Sequence, residues 1–158
     1  MTDDFTFRDP GPLVDEDLEL VLLCCIPPNP VLQHVPAYEF EMRSVEGGVP
    51  MGELRFRVGD AEDALRYPGH IGFEVKDEFR GRRYAARSLL LLLPFARAHG
   101  LTGVWLSCDP DNLASRRTCE IAGARLREIV EIPRTHDMYL KGMHVACRYL
   151  IDLGGTGS

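Results

Sequence analysis

At 158 residues with 45% apolar content, the chain has the length of one domain and enough oily side chains to fill a core. A formal charge of −6 and a pI near 5.3 exclude a general nucleic-acid coat, which needs a basic face to displace backbone counterions. Cys24, Cys25, Cys108, Cys119 and Cys147 are odd in number and form no CxxC pair, so neither a disulfide framework nor a zinc site is expected. The leucine run Leu89–Leu93 is far short of a membrane span. The reading is a reduced, cytoplasmic protein with no membrane or nucleic-acid partner. It is taken as one domain over 1–158, with 1–9 and 154–158 flexible.

In chain order, Leu18–Ile26 predicts a first strand, halted by Pro27-Pro28-Asn29-Pro30, where proline lacks a donor and restricts its predecessor. Tyr38–Ser44 and Met51–Val58 predict an antiparallel pair around the turn glycines Gly47 and Gly48. His70–Val75 predicts a fourth strand after the charged connection 59–68. The run Ser88–His99 predicts a helix buried on more than one side. Pro94 inside it predicts a bend or an early end, at a cost of about 3 kcal/mol in an ordinary interior. Val104–Cys108 predicts a fifth strand. Asp109-Pro110-Asp111-Asn112 then supplies cap chemistry for a short helix over about 113–122, closed by Gly123. Leu126–Ile132 and His144–Leu150 complete a set of about seven strands, and the β–α–β–α order requires one parallel pair.

Between the fourth strand and the leucine helix stands Arg80-Gly81-Arg82-Arg83-Tyr84-Ala85-Ala86-Arg87. A strand that turns into a helix there aims unpaired N–H groups and the positive end of the helix dipole at one point, which suits a phosphate. The alternative is a solvated helix start. Positive charge is unfavourable at a helix N-terminus unless an anion offsets it, so the phosphate reading is preferred. No Gly-x-x-x-x-Gly-Lys-(Ser/Thr) loop is present, which counts against a general nucleotide module.

Over roughly residues 37–150 the chain resembles the GNAT superfamily of acetyl-coenzyme A-dependent N-acetyltransferases. Arg80-Gly81-Arg82-Arg83-Tyr84-Ala85 aligns with that family's (Gln/Arg)-x-x-Gly-x-(Gly/Ala) signature, with Arg83 where the inner glycine stands. Asn112 and Ser115 match the asparagine and small residue at the next turn and helix, and Glu120-Ile121-Ala122-Gly123 matches the Glu-x-x-Gly at that helix's end. The family's tyrosine, thought to protonate the departing thiolate, aligns with Cys119.

The resemblance implies an α/β fold with a mixed, mainly antiparallel sheet splayed at strands four and five and flanked by helices. It implies acetyl-coenzyme A as acyl donor and a primary amine as acceptor, attacking directly in a ternary complex. Main-chain groups of Phe73 to Val75 would pair with the pantetheine amides, and the N–H groups of Gly81 to Ala85, Tyr84 included, would take the pyrophosphate. Arg80, Arg82, Arg83 or Arg87 would add charge-assisted contacts. Asn112 either contacts the cofactor or caps its helix, and the two are compatible. Glu74 is the candidate general base, or else an inert outward-facing strand residue. Glu39 and Glu41 share a strand face and meet a cationic acceptor or solvent. Cys119 and Cys108 are read as packing rather than nucleophiles, Trp105 as core, and His70 as the one histidine worth testing as a proton relay.

In the family the segment after the first strand builds helices that shape the acceptor pocket. Here Pro27–Pro36 is too short for two helices, leaving a pocket finished by a homodimer partner or by the loop 133–142. The acceptor, a small amine or a peptide, stays open. With the tyrosine absent, a non-catalytic acyl-coenzyme A sensor is the alternative.

Overall fold

In the computed structural model, which describes residues 5–154, one eight-stranded sheet runs through the molecule. Its strands are β1 (Val14–Asp15), β2 (Leu18–Ile26), β3 (Ala37–Ser44), β4 (Pro50–Arg57), β5 (Ile71–Val75), β6 (Gly103–Cys108), β7 (Arg125–Glu131) and β8 (Val145–Asp152). The helices are α1 (Tyr84–Ala98), α2 (Leu113–Ile121) and a single turn, α3 (Asp137–Leu140). Across the sheet the order is β1-β2-β3-β4-β5-β6-β8-β7. The fold is the expected α/β class with a mixed, mainly antiparallel sheet. The added strand is β1, two residues long and too short to leave a periodic signal in the sequence.

β5 and β6 are the parallel pair, reached through α1, as a parallel neighbour requires. They meet at one position, Ile71 against Leu106. Beyond it β5 continues to Val75 and β6 to Cys108 without pairing with each other, so the sheet opens into a V. These are the fourth and fifth strands of the sequence reading, and the splay falls between them.

The core fills the space between α1 and one sheet face. Tyr38, Phe40, Met42, Leu54, Phe56 and Ile71 meet Leu89, Leu92 and Phe95 there, all buried, and each large side chain contributes about 1.5–3 kcal/mol. α1 starts at Tyr84, four residues before the predicted run. Ala85 and Ala86 favour helix, and its first turn is tied down by Tyr84 Oη to Asp17 at 2.5 Å and by Arg87 to Asp15 and Asp17, both at 2.7 Å. Pro94 does not end it, because α1 continues to Ala98. Pro94 and Leu90, whose carbonyl loses its donor, both lie on the solvent side, and the buried residues on either side hold the helix through that point.

The start of the chain also departs from expectation. Residues 1–4 and 155–158 lie outside the described region, but Phe5 and Phe7 pack on Tyr38 with ring centroids 6.5 and 5.1 Å away. Arg8 N–H donates to Tyr38 Oη at 2.8 Å. Pro27–Pro36 forms turns closed by an Asn29–His34 bridge, with no helix. The face of β3–β5 away from α1 therefore stays open, carrying Glu39, Glu41, Glu53, Arg55 and Glu74.

Candidate functional site

After β5 the chain makes a 3-10 turn over Asp77–Phe79 and then enters α1 with its donors unspent. Among the described residues, the N–H groups of Gly81, Arg82, Arg83, Tyr84, Ala85 and Ala86 have no acceptor, and the first amide taken is that of Arg87, by Arg83 O at 2.9 Å. No side chain caps the helix. Gly81 has φ 87° and Arg83 φ 64°. Left-handed residues alternating with ordinary ones curl successive N–H groups into a concave nest for an anion. A residue with a Cβ pays roughly 1–2 kcal/mol for that conformation, which is the physical reason the aligned signature has glycine at position 83. The Arg83 side chain is exposed and leaves the nest open.

The nest faces a cleft of about 540 Å³ that gathers Phe73, Glu74, Val75, Arg80, Gly81, Arg83, Tyr84, Ala85, Asn112 and Ser115. Of the residues singled out from the sequence, Arg82 stands outside this lining. The other arginines divide sharply. Arg87 is committed to Asp15 and Asp17 and takes no part in the cleft, correcting the expectation that it adds a phosphate contact. Asp17 is held below the usual carboxylate range by the Tyr84 hydroxyl and then Arg87. Arg80 turns back, its Nε donating to Val75 O at 3.0 Å and its Nη1 lying 3.1 Å from Asp77. Asn112 Oδ1 accepts the Ser115 N–H at 3.1 Å and so caps α2, leaving its amide nitrogen toward the cleft.

The other wall is main chain. Lys76 N–H donates to Met51 O and Arg57 N–H to His70 O, which fixes the phase of the β4–β5 ladder. The His70 carbonyl, Gly72, Glu74 and the Lys76 N–H bond toward β4, while the His70 N–H donates to Trp105 O on β6, so the N–H and C=O groups of Phe73 and Val75 turn into the V. Phe73 is unpaired there, and Val75 O is met by Arg80.

A family model of the GNAT acetyltransferase domain matches residues 31–125, more than half of the chain. The chain belongs to the GNAT acetyltransferase family. Solved structures with the same fold include the apo form of RimL, a ribosomal alpha-N-protein acetyltransferase, at 17% identity and TM-score 0.64, covering 90% of this chain and 98% of that one. RimL in complex with coenzyme A matches at 17% identity and TM-score 0.59, over 76% of this chain and 64% of that one. A GNAT-family acetyltransferase from Bacillus anthracis matches at 17% and 0.59, over 74% and 67%. Sequence comparison with curated proteins finds no match.

In this GNAT chain the tyrosine position is filled by a sealed thiol. Cys119 is 1% exposed, and its hydrogen bond with Cys108, together with burial, pushes its pKa far above the ordinary thiol range. Both cysteines are core, as read from sequence. His70 is no relay: it is 2% exposed, its Nδ1 accepts the Trp105 N–H at 3.0 Å, and its Nε2 lies 3.0 Å from Gly59 O. Both ring nitrogens are spent, Nδ1 bracing the start of β5 against β6 and Nε2 holding the connection after β4, and burial lowers its pKa. Trp105 is half-buried beneath the guanidinium of Arg148 at 4.2 Å, which also binds Glu128 and the Ala61 carbonyl.

Glu74 occupies a junction. With Phe73 it lines both the 540 Å³ cleft and a second cleft, of about 300 Å³, on the open sheet face. That second cleft shares Arg55 and Arg57 with a third, of about 470 Å³, which the loops 32–35 and 135–137 wall in. The three form one groove crossing β5. Glu39 is paired with Arg55 and Glu41 with Arg43. A separate concavity, about 660 Å³ around Gly59–Glu62 and Gly100–Gly103, shares no residue with this groove. Sequence reasoning missed Arg57, Arg117 at the first cleft, and Ser107, whose buried Oγ has no partner among the described residues. Ser107 stands just past the last β5–β6 pairing. Nothing in a motif marks these three: Arg57 reaches the groove through the β4–β5 register, Arg117 through α2, and Ser107 stands on β6 outside the lining of the three clefts.

Proposed function

We propose that this GNAT protein moves an acetyl group from acetyl-coenzyme A to a primary amine by direct attack within a ternary complex. The observation that carries the reading is the row of six unspent amides at the N-terminus of α1, set against an unpaired strand edge. The amides of Gly81 to Ala85 would hold the pyrophosphate, with Arg82 and Arg83 adding charge at the rim. Phe73 and Val75 would pair with the pantetheine amides as a further strand, and Asn112 and Ser115 close the opposite side. RimL, with the same fold, is known in complex with coenzyme A, in keeping with a coenzyme ligand.

The thioester carbon then lies near Glu74, where the groove crosses from one sheet face to the other. The carboxylate accepts a proton from the incoming ammonium, and the free amine attacks the carbonyl carbon. A main-chain N–H of β5 turned into the V stabilises the oxygen's charge, the nitrogen of the tetrahedral adduct gives its second proton to water, the C–S bond breaks, and the amide forms as the thiolate departs. That thiolate takes its proton from water, because Cys119 is sealed in the core.

The experiment has two arms. Thermal unfolding with acetyl-coenzyme A, coenzyme A and ATP should show stabilisation by the first two, about 2.7 kcal/mol at 100 times the dissociation constant; a shift with ATP alone would end the reading. A panel of amines assayed for liberated thiol then tests transfer. The buried thiol in place of the tyrosine favours the sensor alternative, for which coenzyme binds and no amine releases thiol.

A further inference from the structure

Arg57 leaves the end of β4 and lies across Gly72 of β5. A Cβ at Gly72 would sit 3.5 Å from Arg57 Nη2 and 3.7 Å from Nη1, so the guanidinium lies over Gly72 at ordinary van der Waals distance. Nη1 donates to Gly69 O at 3.3 Å and to Pro68 O at 3.5 Å, both longer than the usual 2.9–3.0 Å. Among the described residues, Nε and Nη2 have no acceptor and no carboxylate comes within ion-pair distance. Arg43, Arg55, Arg66, Arg80, Arg87 and Arg148 each have one. Burial, and then the charge of Arg55, pull the Arg57 pKa down to about 10: the guanidinium has been partly desolvated with two long carbonyl contacts and, among the described residues, no carboxylate to balance its charge. Such a group is costly unless an anion completes it.

Its surroundings say where the anion belongs. Arg57 lines both the 300 and the 470 Å³ clefts, and Gly72 lines the first of these. At the other end of that cleft Glu53 and Glu74 stand directly opposite each other across β4 and β5, an arrangement that repels and that an ammonium would relieve. From Gly72 to Glu74 is two strand residues, about 7 Å.

The geometry points to Arg57 as the specificity-determining residue for the acceptor, a zwitterionic primary amine whose carboxylate or phosphate lies about 7 Å from its nitrogen. The amine meets Glu74 and the anionic group meets Nε and Nη2 of Arg57. This rests on the acetyl-transfer reading and adds the chemical class of the amine. A free α-amino acid is too short, since one carbon separates its two charges, whereas a dipeptide or an aminoalkyl phosphate spans the distance. The third cleft continues past the guanidinium, so a longer acceptor has room beyond its anionic group.

The test compares matched pairs: glycylglycine against glycylglycine amide, and 3-aminopropyl phosphate against 3-aminopropanol, with thiol release as the readout. The wild-type protein should prefer the anionic member of at least one pair tenfold or more in kcat/KM, the difference lying in KM, and the pair showing it tells carboxylate from phosphate. In Arg57→Gln the preference should fall to near one, and Arg57→Lys should restore part of it. A preference absent from the wild type, or unchanged in Arg57→Gln, overturns the inference. A second readout is the Arg57 side-chain 15N resonance, assigned by its loss in Arg57→Gln and titrated with the same four compounds. If it responds to the anionic compounds while no amine releases thiol, the anion site stands and acetyl transfer falls. If amines react without preference and the resonance is silent, acetyl transfer stands and the anion site falls.

Discussion

The two ends of the groove are built from different material. At the α1 end the contacts are main-chain amides, fixed by two left-handed residues and by the anchoring of Tyr84 and Arg87 to the β1–β2 turn. Beyond Glu74 they are side chains on an uncovered sheet face, Arg57, Glu53 and Arg55, brought together by strand register. Amides are common to every residue except proline, so the first end tolerates Arg83 in place of glycine. The second end depends on each side chain, and its chemistry changes with single substitutions.

The sharpest break between the ends falls at Glu74. Glu74→Gln should lower kcat by about a hundredfold or more, the usual scale for a lost general base, while titration calorimetry shows coenzyme affinity unchanged; kcat within a factor of two would leave Glu74 as a bystander. Next comes the nest. Replacing Arg82 and Arg83 together by Glu should weaken coenzyme A binding by about thirtyfold through charge at the rim, whereas the double Ala variant should lose less than about fivefold if the amides hold the pyrophosphate. Equal losses would mean that side chains, not main chain, do the binding.

Arg83→Gly should raise stability by about 1 kcal/mol by relieving the positive φ, read as a melting temperature higher by about 2–4 °C; no change would show that the turn is unstrained. The smallest effect belongs to His70, outside both ends. Its folded pKa lies below the ordinary value near 6.5, so below that pH the unfolded chain takes up the proton first. Stability should be full above about pH 6.5 and fall as the pH drops. In His70→Gln, urea midpoints between pH 6.5 and 5 should vary less steeply, and equal slopes would remove His70 from the balance.

The loop and its flanking elements were legible because each carries a local signal: an apolar strand run, a basic turn with glycine, a leucine helix. Asn112 was legible as a cap for the same reason, its partner being three residues away. The start of α1 was misjudged because Tyr84 and Arg87 are held by Asp15 and Asp17, some 70 residues back. That same pairing removes Arg87 from the phosphate set. Arg57 left no trace in the sequence, since its meaning depends on Gly72 one strand away and on the absence of a carboxylate around it. His70 looked like a relay because a lone histidine before a strand cannot show that both its nitrogens are occupied.

Joined only at one end, around Ile71 and Leu106 with His70 and Trp105 beside them, the halves of the sheet leave two raw strand borders facing each other, the kind of surface on which chains stick to one another. A molecule that laces the gap with its own amides would finish the ladder and hide both borders. The upkeep of this protein would then track coenzyme supply, its resistance to unfolding and to clumping rising when the pool is full and lapsing when it drains.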